Sequence, residues 1–549
     1  MAEVTGGEAV VRTLLAHGVD VVFGLAGVHA LPIYDALFAH PELRHISVRH
    51  EQAAAYMADG YSRVTGRPGV CISTTGPGAA NTAAAMGTAY FDSSPVLNIM
   101  SQIASDLVDR DKGALHEPKD QLGLFRTLTK WNARASTVEQ IPGLLHEAFR
   151  TMTEGRPRPT QVEICSDVLL ARVKESSVPW TAVPEGIERR RADPARVGEA
   201  ARLLRAAQRP VLWAGGGVNR ASARGGFAVG EGASPLLVRL AEALQAPVVT
   251  TIQGMGAIPY DHPLCLGFRP FDRTISDLLA GADLLLAVGT RFAASQTLNW
   301  NVKLPETLIH VDIDEAEVGK SYPAQVGLVG DAGAVLEQLI EAVGSLPGRE
   351  CWAGDVAEVR AGVERGLREG GPQEMAVLDE IRAAAPSEAI LVWDQTKPAY
   401  WAARSFPTYE PHTFLYPGYG TLGFAFPTAL GAKVGQPERP VVCIVGDGGF
   451  QYVLPELATA AQFGINITVL LFNDGGYGIL RDLQDMGFQG HRYAVDLVNP
   501  DFVRLVGAYG LPAVRLDGPE GLGHALRRAL ESDRTTVIEV PVEFRRPTG

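Results

Sequence analysis

The stretch VVCIVGDGGFQYVLPELATAAQFGINITVLLFNDGGY, residues 441–477, limits the fold more than any other part of the chain. It opens with a β-branched run, Val441 to Val445, that reads as a buried strand ending in Gly446-Asp447-Gly448. A helical stretch from about Pro455 to Gln462 follows, and a second apolar run, Ile467 to Phe472, closes on Asn473-Asp474-Gly475-Gly476. Strand, helix and strand in this order form a parallel pair. Both turns then emerge at the carboxyl edge, where open α/β sheets bind ligands. Asp447 and Asp474 would lie on adjacent turns, among glycines that admit close backbone approach. Hard oxygen ligands beside bare backbone suit a Mg2+ ion holding a phosphate. Either turn taken alone reads equally well as an Asp capping a helix.

A chain of 549 residues exceeds one core and predicts roughly three to four domains. The first unit, 1–171, alternates strands (Val21-Val22-Phe23, His45–Val48, Gly69–Ser73, Pro95–Met100) with helices such as Ala30–Ala39, and RPRPTQVEICSDVLLA supplies a closing strand. Such alternation implies a parallel sheet covered on both faces. A charged, Pro-containing linker, 172–190, leads to a central Rossmann-like domain, 191–344. Its Gly215-Gly216-Gly217 turn follows a strand but fits G-x-G-x-x-G poorly, so nicotinamide binding is not the reading taken. A polar linker, 345–372, precedes the third unit, 373–549. The fold class is therefore α/β, with three doubly wound parallel-sheet domains.

A net charge of −13 argues against a nucleic-acid surface. There is no apolar run of about 18 residues, and the start MAEVTGGEAVVRTL lacks a basic-then-apolar pattern, so a cytoplasmic protein with no membrane association is expected. The five cysteines are scattered and never form CxxC, which reads as reduced buried residues.

Other segments carry chemistry. Glu51 in VRHEQAAAYMADGYSR follows a strand and opens an apolar-periodic helix, where the helix dipole alone would favour an acid. Gly76-Pro77-Gly78-Ala79-Ala80-Asn81 follows another strand, and Asp394-Gln395-Thr396-Lys397-Pro398 ends the strand AILVWD. Gly418-Tyr419-Gly420-Thr421-Leu422-Gly423-Phe424-Ala425-Phe426-Pro427 is a further glycine-rich segment. Together with GDG and Asn473-Asp474, these segments resemble the thiamine-diphosphate (ThDP) enzymes of the acetolactate synthase and pyruvate decarboxylase superfamily. The resemblance runs over essentially the whole chain, in the order pyrimidine, central and diphosphate domain.

The resemblance implies roles. Glu51 would hydrogen-bond N1′ of the aminopyrimidine, and Gly76 and Pro77 would shape the pocket wall. Leu422, where the family commonly has Met, would wedge the cofactor into a bent shape, and the carbonyl near Gly420 would take the 4′-amino proton. Thr396, Lys397, Gly446, Gly448 and Tyr477 would cradle the diphosphate. Asp447, Asp474 and Gly476 would hold Mg2+; Asp474 replaces the family's usual Asn. His116 and Gln121 are catalytic candidates, with His29 and His50 as rivals for proton relay. The chemistry implied is general base catalysis shared by Glu51 and cofactor, with decarboxylation of a 2-oxo acid through an enamine. Active sites between subunits of a homodimer or homotetramer are implied as well.

The fate of that intermediate separates the branches. RHEQAAAYMADGYSR and HVDIDEAEVGK look like acetolactate synthase. Arg291-Phe292-Ala293-Ala294-Ser295 stands where those enzymes usually carry RFDDR, which counts against FAD, and Leu483 stands where they place a Trp. Leu115-His116-Glu117-Pro118-Lys119-Asp120-Gln121 looks more like a decarboxylase branch that includes 5-guanidino-2-oxopentanoate decarboxylase. A guanidinium substrate would need a carboxylate partner, for which Glu117, Asp120, Asp482 and Asp485 are available. The leading expectation is aldehyde release; the alternative is acetolactate synthesis, with the two-carbon unit of pyruvate passed to a second 2-oxo acid.

Overall fold

A computed structural model describes residues 2–180, 189–221, 232–268 and 272–547. Residues 181–188 of the expected first linker therefore lie outside the described residues. After a short strand β1 (Glu3–Thr5), the first sheet is built from β2 (Val21–Gly24), β3 (Arg44–Ser47), β4 (Gly69–Ser73), β5 (Val96–Gln102), β6 (Trp131–Ala135) and β7 (Thr160–Cys165). Their order is β3-β2-β4-β5-β7-β6, all parallel. A strand β8 (Arg172–Lys174) returns antiparallel along β1 and so ties the start of the expected linker to the first unit.

The central sheet contains β9 (Pro210–Ala214), β10 (Val248–Thr250), β11 (Cys265–Gly267), β12 (Leu284–Val288), β13 (Thr307–Asp312) and β14 (Val326–Val329). Its order, β11-β10-β9-β12-β13-β14, is that of dinucleotide-binding sheets. The third sheet holds β15 (Ile390–Trp393), β16 (Phe414–Leu415), β17 (Val441–Gly446), β18 (Thr468–Asn473), β19 (Ala513–Arg515) and β20 (Thr536–Pro541), ordered β16-β15-β17-β18-β20-β19. The first and third sheets thus share one topology. Each reverses direction beside its first strand, which opens a crevice at the carboxyl edge between β2 and β4 and between β15 and β17.

The expected strands form within a residue or two of their apolar runs, because strands buried on both faces read as continuous hydrophobic stretches. Strand β6 was not anticipated: most of its residues are only half-buried, so it carries no apolar run. The stretch expected as a polar linker, 345–372, contains helix Val356–Gly370, which is polar on one face and packs Val356 and Val363 against the central domain. One hydrophobic core spans the first and third sheets, with helix Glu51–Thr65 lying along helix Ala425–Gly435. The helices approach so closely that a Cβ at Gly60 would overlap the Thr428 carbonyl and one at Gly431 the Met57 carbonyl. All five cysteines are free, and four are buried.

Candidate cofactor and metal site

At the carboxyl edge of the third sheet, β17 and β18 pair with Gly446 opposite Phe472, so the turns after them are neighbours. Asp447 is the first residue of the short helix Asp447–Gln451, and its Oδ2 accepts from Asn499 Nδ2 at 2.6 Å. The same Asn499 amide donates to Asn473 Oδ1 at 2.8 Å, and so ties the two acidic turns together. Asp474 Oδ1 is buried without a hydrogen-bond partner. Burial, and next the charge of Asp447, push the Asp474 carboxyl up to about 6, while Lys397 and Arg481 pull the other way. Asp447 is also raised, chiefly by burial.

An orphaned carboxylate oxygen and two mutually repelling acids are what a divalent cation would relieve. Among the described residues no group of three or more His, Cys, Asp and Glu side chains is placed to hold a metal. Two carboxylates with turn carbonyls nevertheless match Mg2+, which takes one or two carboxylates plus phosphate oxygens. The residues present fit the ion.

The surrounding cradle is tight. A Cβ at Gly446 would lie 3.2 Å from Thr396 Oγ1, one at Gly448 would meet the Tyr477 ring at 2.6 Å, and one at Gly478 would lie 2.9 Å from Lys397 Cε. Lys397 is buried, and its Nζ donates to Phe544 O at 2.8 Å and to Asp482 at 3.1 Å. Asp394, at the end of β15, accepts from Gln395 N and Ala425 N and so anchors the start of helix Ala425–Gly435. Desolvation pushes its carboxyl up to about 6. Ahead of that helix, Gly420 and Gly423 adopt φ of +84° and +74°, conformations that favour glycine. Leu422 between them is half-buried.

At the edge of the first sheet, Glu51 opens helix Glu51–Thr65 and is 8% exposed. Its Oε2 accepts from Asn81 Nδ2 at 2.9 Å, and its Oε1 lies 3.1 Å from where a Cβ at Gly78 would stand. Gly76, at φ +65°, backs onto the His116 carbonyl, and Pro77 starts the next short helix. Gln121 is fully enclosed: its Oε1 accepts from Thr75 Oγ1 and Gly76 N, and its Nε2 donates to Ser101 O and Glu163. The amide braces the Gly76 turn from within the wall. The His29 and His116 rings lie 5.3 Å apart, and neither buried Nδ1 has a hydrogen-bond partner. His50 serves as the helix cap, its ring accepting from Gln52 N.

Two residues of the metal edge had no sequence-level prediction. Asn499 reaches the turns from a segment further along the chain and Arg481 from the first turn of the following helix, Gly478–Gly487, and no short motif marks either. A separate cavity of about 800 Å3 lies where the three sheets meet, lined by Gly216, Gly217, Thr290 and Arg291 of the central sheet and by Arg63 and Tyr416. Arg291 stacks on Phe91 at 4.0 Å, whereas Phe292 turns into the core beside Trp213.

Residues 4–124, 197–339 and 394–540 match the N-terminal TPP-binding, central and C-terminal TPP-binding domains of thiamine pyrophosphate enzymes. The chain belongs to the thiamine-pyrophosphate-dependent enzyme family. It is 39% identical to the probable 2-ketoarginine decarboxylase AruI of Pseudomonas aeruginosa, over 98% of this chain and 94% of that protein. It is 36% identical to the probable acetolactate synthase large subunit of Methanocaldococcus jannaschii (98% and 92%). The acetolactate synthase isozyme 3 large subunit of Escherichia coli is 34% identical (99% and 96%).

Proposed function

We propose that this enzyme binds ThDP with Mg2+, decarboxylates a 2-oxo acid and passes the retained carbon unit to a second 2-oxo acid, as an acetolactate synthase does. Relatives named acetolactate synthase, matching over nearly the full chain, support this reading. The observation that carries it over simple aldehyde release is the state of the four acids available to a guanidinium substrate. Glu117 accepts from Ala114 N and Lys112 N, and Asp120 caps Gly123 N. Asp482 pairs with Lys397, and Asp485 pairs with Arg492. Each carboxylate has at least one partner, and of the four only Asp482 keeps a buried oxygen, Oδ2, without a hydrogen bond. The AruI relative and Leu483 in place of a Trp favour the second reading, release of an aldehyde from a 2-oxo acid such as 5-guanidino-2-oxopentanoate.

Bound ThDP would supply the nucleophilic carbon and the electron sink for decarboxylation. Asp447, Asp474 and Gly476 would hold Mg2+, and Thr396, Lys397, Gly446, Gly448 and Tyr477 would enclose the diphosphate. Glu51, held by Asn81 beside the Gly76-Pro77-Gly78 turn, keeps a proton at the aminopyrimidine, while Leu422 and the Gly420 carbonyl shape and orient that ring. His116 with His29 supplies proton transfer at the carbonyl end, and Gln121 keeps the turn in place. The working unit is a homodimer or a pair of them. Apolar side chains exposed along both rims, Val28, Leu31 and Leu115 on one and Leu480, Met486 and Phe488 on the other, support this.

Incubation with ThDP, Mg2+ and pyruvate, alone and with 5-guanidino-2-oxopentanoate, separates the readings. Acetolactate as the main product is expected; aldehyde from the guanidino acid without acetohydroxy acid would transfer the assignment to the second reading. Flavin absorbance in the purified protein would add FAD, for which the three-sheet cavity offers room; the Arg291–Ser295 sequence predicts a colourless preparation.

A further inference from the structure

The turn that carries Asp474 is gripped from two sides. Gly475 takes φ +70°, Leu497 N donates to its carbonyl at 2.8 Å, Tyr477 N donates to Val495 O at 2.8 Å, and Gly476 pairs antiparallel with Asp496. Arg481, from the first turn of helix Gly478–Gly487, closes the other side and is buried. Its Nη1 donates to Asp474 O at 2.9 Å, its Nη2 to Gly475 O at 2.6 Å, and its Nε to Asp496 Oδ1 at 2.7 Å. The guanidinium lies 4.0 Å from Asp474 Oδ1. A Cβ at Gly476 would overlap both this guanidinium and the Val495 carbonyl, so no other residue fits there.

A planar fork of fixed donors is what two successive carbonyls require; a lysine ammonium on a flexible stem would not span them in one geometry. The charge of Arg481 is partly offset by Asp496 at 2.7 Å, and what reaches the Asp474 carboxyl counts for less than burial and Asp447 do. What Arg481 controls is therefore direction. With the Asp474 and Gly475 carbonyls drawn to the guanidinium, the Gly476 backbone hydrogen-bonds to Asp447 and the Asp474 carboxyl lies close enough to feel the Asp447 charge.

We propose that Arg481 is a positioning residue for the divalent cation, fixing the turn from Asn473 to Gly476 by holding its carbonyls, with Asp496 as anchor. The inference rests on the reading of Asp447 and Asp474 as the metal site. Groups that orient metal ligands from behind typically change affinity by about 10–100-fold when lost.

The test is the Mg2+ dissociation constant by titration calorimetry at saturating ThDP, for the wild type, Arg481→Gln, Arg481→Lys, Asp496→Asn and Asp447→Ala, with the melting temperature of each cofactor-free protein alongside. Arg481→Gln is expected to weaken Mg2+ by about 10–100-fold, Arg481→Lys by nearly as much, and Asp496→Asn by less. The Mg2+ concentration for half-maximal activation should rise in parallel. Mg2+ affinity within about twofold of wild type in both Arg481 variants overturns the inference, whatever the melting temperatures; a role confined to folding would lower those temperatures alone. Should Arg481→Gln fail to fold, Arg481→Lys and Asp496→Asn decide. Unchanged Mg2+ affinity in Asp447→Ala would instead overturn the metal-site reading itself.

Discussion

Glu51 shows how closely a carboxylate at a helix start can be confined. Its two oxygens are placed by Asn81 and by the missing side chain of Gly78, at the positive end of its own helix. Glu51→Gln keeps the shape and removes the acid. Turnover should fall by about 10²–10⁴-fold while ThDP affinity, read by calorimetry, stays near wild type. Turnover within a few-fold of wild type would remove Glu51 from the acid–base role. What was legible at this scale was placement: Asp447 and Asp474 just past β-branched strands, Glu51 after a strand and at the start of an apolar-periodic helix. Asn499 was not legible, because an Asn in the loop before helix Phe502–Ala508 looks like any other until the fold brings it within 2.6 Å of Asp447. The engagement of Glu117, Asp120, Asp482 and Asp485 was hidden for the same reason: a carboxylate's partner is a matter of distance in space.

At the scale of elements, the contact between helices Glu51–Thr65 and Ala425–Gly435 joins the two sheets that carry the site. Gly60→Ala and Gly431→Ala each force a Cβ into a backbone carbonyl and should lower stability by about 1–3 kcal/mol. Gly366→Ala, in helix Val356–Gly370 with open space around it, should raise stability by about 0.5–1 kcal/mol. Urea midpoints of the three variants check the opposite signs.

A second link joins the third sheet to the central domain: His412 Nε2 lies 2.6 Å from Asn219 O. Burial, and next the charge of Arg220, lower its imidazole to about 4. A folded pKa below the unfolded value of about 6.5 means that its contribution is complete above pH 6.5 and is lost as pH falls through 4, by up to about 3 kcal/mol. His412→Asn should flatten the decline of unfolding free energy between pH 6.5 and 4; an unaltered slope would show that the ring does not titrate in this window. The strands were legible because each is an apolar run between turn residues. Strand β6 and helix Val356–Gly370 were not, since half-buried elements dilute that signal with polar residues.

For the whole molecule, the first and third sheets carry the same strand order, although their sequences show no close repeat. The shared order puts an equivalent crevice on each, one holding the Glu51 and Gly76 region and the other the Asp447 and Asp474 region. On the proposed reading, a cofactor is gripped at opposite ends by crevices from two subunits, and the dimer is the smallest competent unit. Sedimentation velocity at assay concentration should find activity only in dimeric or larger species, and an active monomer would contradict this. No helix among the described residues is long and apolar enough to cross a membrane.

The sequence alone determined the α/β architecture and put Asp447, Asp474 and Glu51 just past strand ends, because apolar runs, glycine turns and the acids that follow them are local patterns. Only the tertiary structure decided which partners the acids take, which arginine holds the Asp474 and Gly475 carbonyls and which asparagine joins the two acidic turns. Those answers depend on how side chains point and meet within hydrogen-bond distance, whether from a distant segment as for Asn499 or from the next helix as for Arg481, and the order of residues carries no record of that meeting.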